Sequence, residues 1–230
     1  AKFRYMFGGK ATTPVVIRTQ MGAGYRAAAQ HSQALYPLFT HIPGLKCVVP
    51  SSAYDAKGLM ISAIRDDDPV IFFEHKVLYD EVRDDVPEEP YTIPFGEANI
   101  LRDGDHVTIV AFARMVHFAM AAAETLASEG IECEVIDPRT TSPLDEDSII
   151  ESVENTGRLV VVDESPPRCN MATDIAALVS QNAFGALEAP VRMVTAPHTP
   201  VPFAPELEDA YIPSPEKIAQ AVRDVAGYGQ

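Results

Sequence analysis

The sequence predicts an α/β protein with two doubly wound parallel-sheet domains. In both halves, short apolar runs rich in β-branched residues alternate with longer segments in which apolar residues recur at helical spacing. This alternation is typical of parallel sheets covered by helices. Residues 75–94 interrupt it with six acidic residues and three prolines, a composition typical of an interdomain linker. We therefore expect a boundary near residue 90, giving domains 1–90 and 91–230.

The first half reads as a series of strand and helix segments. Ser51 or Ser52 can cap the longest helix, whose apolar residues recur at helical spacing. The expected strands cover residues 14–17, 46–49 and 69–73, and the expected helices cover residues 1–7, 34–42 and 53–65. A helix at residue 1 without a preceding strand or cap suggests that the chain starts inside a domain.

The second half repeats the same order of elements. We expect strands at residues 106–112, 131–136, 158–162 and 191–195, and helices at residues 116–129, 147–155, 172–182 and 215–225. Arg114 and Glu164 follow strands, and we interpret them as interface or capping groups. The proline-rich residues 197–205 are either an extended edge for docking a partner or a stiff surface connection.

A glycine turn after the first strand has two interpretations. Residues 22–27 fit the pattern G-x-G-x-x-A, in which glycines allow the backbone to approach a pyrophosphate. That fingerprint also requires an acidic residue roughly 20 positions later, at the end of the next strand. Here the next strand ends in Pro50-Ser51, which argues against a nicotinamide or flavin site. The other interpretation is a tight turn followed by a core histidine, His31.

Charge and cysteine content restrict the function classes. A net charge of −15, from 33 acidic and 18 basic residues, would repel a phosphate backbone, so we expect no nucleic-acid partner. The sequence lacks a long apolar run and a signal peptide, so we expect no membrane partner and a cytoplasmic location. Cys47, Cys133 and Cys169 form no zinc-binding pattern, and the first two are expected to be buried.

Asp66-Asp67-Asp68 follows the helix expected at residues 53–65. The carboxyl end of a helix favours cations, so three acids there indicate either a solvated turn or a bound positive group.

Three long motifs carry a family resemblance. They are G-A-G-Y-R-A-A-A-Q-H-S-Q at 22–33, H-I-P-G-L-K-C-V-V-P-S-S-A-Y-D-A-K-G-L at 41–59 and A-I-R-D-D-D-P-V-I-F-F-E-H at 63–75. Together they resemble the beta subunits of thiamine-diphosphate-dependent 2-oxo acid dehydrogenases, especially acetoin and pyruvate dehydrogenases. The resemblance implies an incomplete pyrimidine-binding domain followed by a transketolase C-terminal-like domain. It also implies that roughly a hundred preceding residues, an ordinary fraction of a domain, carry the glutamate that activates the cofactor.

The resemblance further implies the reaction and its partners. The cofactors would be thiamine diphosphate and magnesium, shared with an alpha subunit in an α2β2 assembly, so that this chain alone is inactive. Asp103-Gly104-Asp105 lacks the residue order of the family's diphosphate-magnesium site. The enzyme would decarboxylate a pyruvate-like 2-oxo acid, or cleave acetoin, and transfer the acyl group to a lipoyl acyltransferase core. A branched-chain 2-oxo acid dehydrogenase subunit and a non-catalytic interaction module are the alternatives.

The resemblance also assigns site residues. His31 would be catalytic, because a neutral imidazole near the thiazolium can donate a hydrogen bond or exchange a proton. Potassium would be held mostly by backbone carbonyls, at the matching positions Val15, Ala63, Ile64, Asp66 and Asp68. No residue of this chain is expected to bind the organic cofactor directly, since the activating glutamate would precede it.

Overall fold

The computed structural model describes residues 1–229 and has the predicted α/β architecture, with two parallel-dominated sheets covered by helices. Its strands are β1 (Val16–Met21), β2 (Lys46–Val48), β3 (Val70–His75), β4 (Asn99–Arg102), β5 (Val107–Ala111), β6 (Cys133–Asp137), β7 (Thr140–Ser142), β8 (Leu159–Asp163) and β9 (Arg192–Thr195). Its α-helices are α1 (Phe3–Met6), α2 (Ala28–His31), α3 (Tyr36–Thr40), α4 (Ala53–Arg65), α5 (Leu78–Glu81), α6 (Arg114–Ala127), α7 (Glu146–Thr156), α8 (Met171–Asn182), α9 (Pro205–Tyr211) and α10 (Pro215–Ala226).

Each sheet is parallel except at one edge. The first has the order β1-β3-β2-β7 and the second the order β4-β6-β5-β8-β9. Strands β7 and β4 pair antiparallel to their neighbours β2 and β6. Strand β7 comes from the second half of the sequence, so the second half completes the first sheet. The polar sequence Thr140-Thr141-Ser142 carries no apolar alternation, which explains why no strand was expected there.

The hydrophobic core continues from one sheet to the other. One buried cluster contains Met21 and Phe73 from the first sheet together with Phe112, Ile136 and Val161 from the second half. Burial of aliphatic and aromatic surface of this kind is the main stabilising contribution to folding. The two halves are therefore held together by shared apolar packing as well as by β7.

Besides β7, several segments differ from the sequence-based expectation, and strand β4 was not expected at all. Strand β1 continues to Met21 rather than ending at residue 17, because it pairs with β3 along its whole length and its polar side chains lie at a sheet edge. The segment expected to be a linker contains helix α5. Ile93, near the end of the same segment, packs against α4 in a small apolar cluster. Helix α9 begins at Pro205, at the end of the proline-rich run, where proline suits the first helical turn.

Cys47 and Cys133 are buried, as expected, and burial raises the pKa of each thiol to about 11. Cys169 is exposed.

Among the helices in residues 1–229, none is long and apolar enough to cross a membrane.

Candidate active site

The glycine turn lies where strands of both sheets end. It begins directly after Met21, the last residue of β1, beside the end of β3 at His75. Glu164, the residue after β8, reaches the same place from the second sheet. Polar groups at the carboxyl ends of parallel strands commonly form binding and catalytic sites. The fold therefore brings together residues that are 141 positions apart in sequence.

Glu164 connects the two sheets through its buried carboxylate. One oxygen accepts a hydrogen bond from the backbone N–H of Ala23 at 2.6 Å, and the other lies 2.7 Å from His75 Nε2. A carboxylate only accepts hydrogen bonds, so this contact suits the tautomer in which Nε2 carries the proton. A buried carboxylate without partners would be costly, and these two donors offset that cost. His75 Nδ1 is buried and has no hydrogen-bond partner among the described residues.

Gly22 is required by this arrangement. Its φ is +97°, a region that residues with a side chain rarely adopt, and a Cβ there would overlap the His75 ring. The glycine thus permits the close approach between the turn and the His75–Glu164 pair. The sequence indicated the turn correctly, but the partner of the glycine is an imidazole and not a pyrophosphate.

A second buried carboxylate holds the other side of the turn. Glu208, on α9, is fully buried and accepts hydrogen bonds from the N–H of Gly24 at 2.8 Å and of Arg26 at 3.2 Å. Its Oε2 also accepts from Arg26 Nη1 at 2.9 Å. The same guanidinium donates to Asp209 at 2.7 Å, and this hydrogen bond raises the pKa of Arg26. Both sides of the turn are therefore fixed by acids from the second half of the chain.

His31 ends helix α2, and its side chain is exposed. Its backbone carbonyl accepts a hydrogen bond from Lys76 Nζ, which joins the His31 segment to the residue after β3. Burial lowers the pKa of Lys76, and the negative charges of Glu164 and Glu208 act in the opposite direction. Ser32, the next residue, is buried, and its Oγ has no hydrogen-bond partner among the described residues. The His31 imidazole is therefore exposed at the surface, while its backbone is fixed by a hydrogen bond.

The residues expected around potassium lie near the C-terminal end of α4 and the start of β1. The carbonyl of Val15 accepts from Val70 N–H at 3.0 Å, and that of Ala63 accepts from Asp66 N–H at 3.3 Å. Each carbonyl oxygen has two lone pairs and so keeps the capacity for one more ligand. Ile64 is exposed.

The acidic side chains there already have cationic partners. Lys46 Nζ lies 2.7 Å from an Asp66 carboxylate oxygen and 3.6 Å from Asp68. Arg4 forms an ion pair with Asp68, and the hydrogen bond from Arg4 lowers the pKa of that carboxyl. The acidic turn is therefore neither merely solvated nor dependent on an ion for compensation. Any potassium bound here would rely on carbonyl oxygens, as the resemblance implies.

Sequence reasoning did not identify His75 and Glu208. His75 follows an apolar strand, and a polar residue at the end of a buried parallel strand is a usable signal. Glu208 gave no such signal, since α9 follows a proline-rich run and was not expected. Arg114 forms an ion pair with Glu81 of the first half at 3.0 Å.

Comparisons with known protein families cover most of the chain. The model described as "Transketolase, pyrimidine binding domain" matches residues 1–81, and the model described as "Transketolase, C-terminal domain" matches residues 96–218. A solved structure titled "Split gene transketolase, inactive beta4 tetramer" aligns with a TM-score of 0.78 at 22% identity, covering 99% of this chain and 72% of that one. At this identity the structural likeness supports the fold alone.

Curated relatives are much more similar in sequence. The chain is 69% identical over 97% of its length to the acetoin:2,6-dichlorophenolindophenol oxidoreductase subunit beta of Cupriavidus necator. It is 58% identical over 99% of its length to the protein of the same name in Bacillus subtilis. It is also 49% identical over 99% of its length to the pyruvate dehydrogenase E1 component subunit beta of Rickettsia felis. The chain spans 66% of the first two relatives and 70% of the third. It belongs to the transketolase-type family of dehydrogenase beta subunits that includes these acetoin and pyruvate enzymes.

Proposed function

We propose that this chain forms part of the beta subunit of an acetoin-cleaving, thiamine-diphosphate-dependent dehydrogenase. The observation that carries the proposal is the 69% and 58% identity to two acetoin oxidoreductase beta subunits, against 49% to a pyruvate dehydrogenase beta subunit. Pyruvate decarboxylation is the nearest alternative substrate choice. A branched-chain 2-oxo acid is a more distant one, since the 2-oxoisovalerate dehydrogenase beta subunit of Bacillus subtilis is 39% identical.

The residues at the glycine turn fit contact with one end of thiamine diphosphate. An exposed imidazole at His31 and the unpartnered hydroxyl of Ser32 are polar groups able to exchange hydrogen bonds with a reacting group. Thiamine diphosphate would supply, when bound, a nucleophilic carbon for reaction at the substrate carbonyl. Residues 1–229 contain no group of three or more His, Cys, Asp or Glu side chains that could hold a metal ion. Following the family resemblance, we assign magnesium and the diphosphate to an alpha subunit.

We assign His31 the role of proton donor at the reacting oxygen or at the lipoyl sulfur. An imidazole can donate a proton from one ring nitrogen and accept one at the other, so it can give and recover a proton during each turnover. Its backbone is held by Lys76, whereas its side chain remains accessible to a ligand.

The proposed assembly follows from the same family membership. Residues 1–90 would belong to the pyrimidine-binding domain and residues 91–230 to the C-terminal domain of a beta subunit in an α2β2 enzyme. The acyl group would pass to a lipoyl acyltransferase core, and the complex would operate in the cytoplasm.

A single substitution tests the catalytic role. In an enzyme reconstituted from full-length beta subunit and alpha subunit, His31→Ala should lower acyl transfer to a lipoyl domain by about 100-fold, the scale for losing a positioned proton donor. Cofactor binding and assembly should be unchanged. His41→Ala is the matched control, because His41 is also exposed but lies at the end of α3.

The same experiment distinguishes the competing functions. A His31→Ala enzyme that transfers acyl groups at the normal rate would support the non-catalytic interaction module. Activity measured in parallel with acetoin, pyruvate and a branched-chain 2-oxo acid would identify the substrate, and a preference for either 2-oxo acid would contradict the acetoin assignment.

A further inference from the structure

Glu208 contacts the turn that leads into α2, the helix that carries His31. It lies three residues after Pro205 in the seven-residue helix α9. Its side chain is fully buried and forms an ion pair with Arg26. Its two oxygens together accept three hydrogen bonds, from Gly24 N–H, Arg26 N–H and Arg26 Nη1. All three donors lie in the turn that leads from β1 to α2.

The turn needs such an external constraint. Gly24 has a φ of +100°, and Arg26 and Ala28 have φ values of +56° and +59°. Residues with a side chain rarely adopt this region, and two of them within three positions are stable only when surrounding contacts fix them. The carboxylate of Glu208 supplies that fixation at Gly24 and Arg26, and Arg26 lies two residues before Ala28.

One short helix, α2, separates the turn held by Glu208 from His31. Ala28 is the first residue of α2 and His31 is its last, so the orientation of the imidazole follows from the backbone that Glu208 fixes. The contact on the opposite side, from Lys76 to the His31 carbonyl, holds the other end of α2. A change at the Glu208 end should therefore move the imidazole without removing it.

We propose that Glu208 is a positioning residue for the reaction, which acts by holding the glycine turn in the conformation that presents His31. This inference rests on the proposed role of His31. It assigns a function in the active site to α9, a helix of the second half of the chain. Removing the Glu208 charge would lower the population of the turn conformation that positions α2, because the positive-φ backbone would relax to commoner conformations.

The test compares Glu208→Gln with Glu206→Gln in the reconstituted enzyme. Gln keeps the volume of Glu but has a single acceptor oxygen and no charge to pair with Arg26. Glu206 lies exposed on the same helix and undergoes the same chemical change, so it is the matched control. We expect Glu208→Gln to lower kcat for acyl transfer by about 10-fold with KM for the substrate nearly unchanged. The control should retain the parental values.

A double substitution shows whether Glu208 acts through His31. If it does, Glu208→Gln should add little to the loss caused by His31→Ala, since the group being positioned is already absent. Full additivity of the two losses would overturn the positioning role. A normal kcat in Glu208→Gln, with His31→Ala strongly impaired, would overturn it as well while leaving the proposed function intact.

Hydrogen exchange provides a readout that does not depend on activity. Gly24 and Arg26 N–H groups are held by Glu208, so Glu208→Gln should accelerate amide exchange in a peptide covering residues 22–33 by about 10-fold, with β5 unchanged. Unchanged exchange in that peptide would overturn the inference even if His31 proves non-catalytic. If Glu208→Gln does not fold, Arg26→Lys is the second variant: it replaces the guanidinium that pairs with Glu208 and Asp209 but keeps the two backbone hydrogen bonds, so it should accelerate exchange in the same peptide by a smaller factor.

Discussion

At the scale of single residues, Asp137 is a carboxyl group without access to solvent. It ends β6, is fully buried, and accepts hydrogen bonds from Ser51 Oγ and from the N–H of Arg139 at 2.8 Å. Burial raises its pKa to about 7, and the two hydrogen bonds only partly oppose this shift. The group therefore holds its proton in the folded chain at pH values where an exposed aspartate has lost it.

The sign of the resulting pH dependence is defined. Between about pH 4 and 7 the folded state binds one proton more than the unfolded state at Asp137, so this residue's contribution to the free energy of unfolding falls as pH rises. The slope is on the order of 1 kcal/mol per pH unit for a single proton. Asp137→Asn can keep both hydrogen bonds without the ionisation. Its stability relative to the parent should therefore increase by a few kcal/mol from pH 4 to pH 8.

Urea unfolding at several pH values measures this difference. Asp105→Asn is the control, because Asp105 is a highly exposed carboxyl and its change should leave the pH dependence as it was. Parallel curves for Asp137→Asn and the parent would contradict the account.

At the scale of elements, both ends of α4 are fixed by side chains. Ser52 Oγ accepts a hydrogen bond from Asp55 N–H at 3.0 Å, and Asp84 from the linker accepts from Ala53 N–H at 2.6 Å. Together they satisfy donors that the first helical turn leaves free. Lys46 compensates the Asp66 carboxylate at the other end.

Ser52→Ala should lower the free energy of unfolding by about 1 kcal/mol, the usual cost of losing an N-cap side chain. Urea titration should show a lower midpoint with an unchanged slope. Ser180→Ala provides the comparison: its hydroxyl bonds the Ala176 carbonyl on the exposed side of α8 and caps no helix, so its loss should have little effect. An equal shift in both variants would show that the Ser52 cap contributes nothing specific.

Local signals account for the elements that were predicted correctly. Helix α4 was expected at residues 53–65, where the structure has it, because its cap and its apolar spacing lie within one stretch of sequence. Strand β7 and helix α9 were not expected, since three polar residues form the first and a proline run precedes the second. Their formation depends on partners distant in sequence.

The candidate site likewise combines residues found from local sequence signals with residues that only distant contacts bring to it. The glycine turn could be found from residues 22–24 alone, whereas Glu164 and Glu208 approach it from 141 and 184 positions away. Contacts at such separations leave no periodic pattern, so only the fold could reveal them. The catalytic role of His31 came from the resemblance and stays a prediction.

At the scale of the whole molecule, the two halves are joined by a shared sheet, a shared core and buried polar contacts. Strand β7 pairs with β2, and the His117 ring lies 2.8 Å from the Ser51 carbonyl, across the same boundary. Such contacts favour unfolding of both halves in one cooperative transition. A ligand that binds only the first half should then raise the melting temperature of the entire chain.

Potassium provides the test of that coupling. We propose that carbonyl oxygens at Val15, Ala63, Ile64, Asp66 and Asp68 bind it, and a ligand that binds only the native state stabilises by mass action, by about 2.7 kcal/mol at 100 times its dissociation constant. For a chain of this size each kcal/mol corresponds to roughly 2–4 °C in melting temperature.

Thermal unfolding in KCl should therefore occur several degrees above that in NaCl or choline chloride at equal ionic strength. The comparison is necessary because all three salts screen the repulsion within a chain of net charge −15 to the same extent. Near-ultraviolet and far-ultraviolet circular dichroism should report the same potassium-dependent shift, since tertiary packing and helices would be lost together. Equal melting temperatures in the three salts would contradict the carbonyl site, and a shift in only one of two separate transitions would contradict the coupling between the halves.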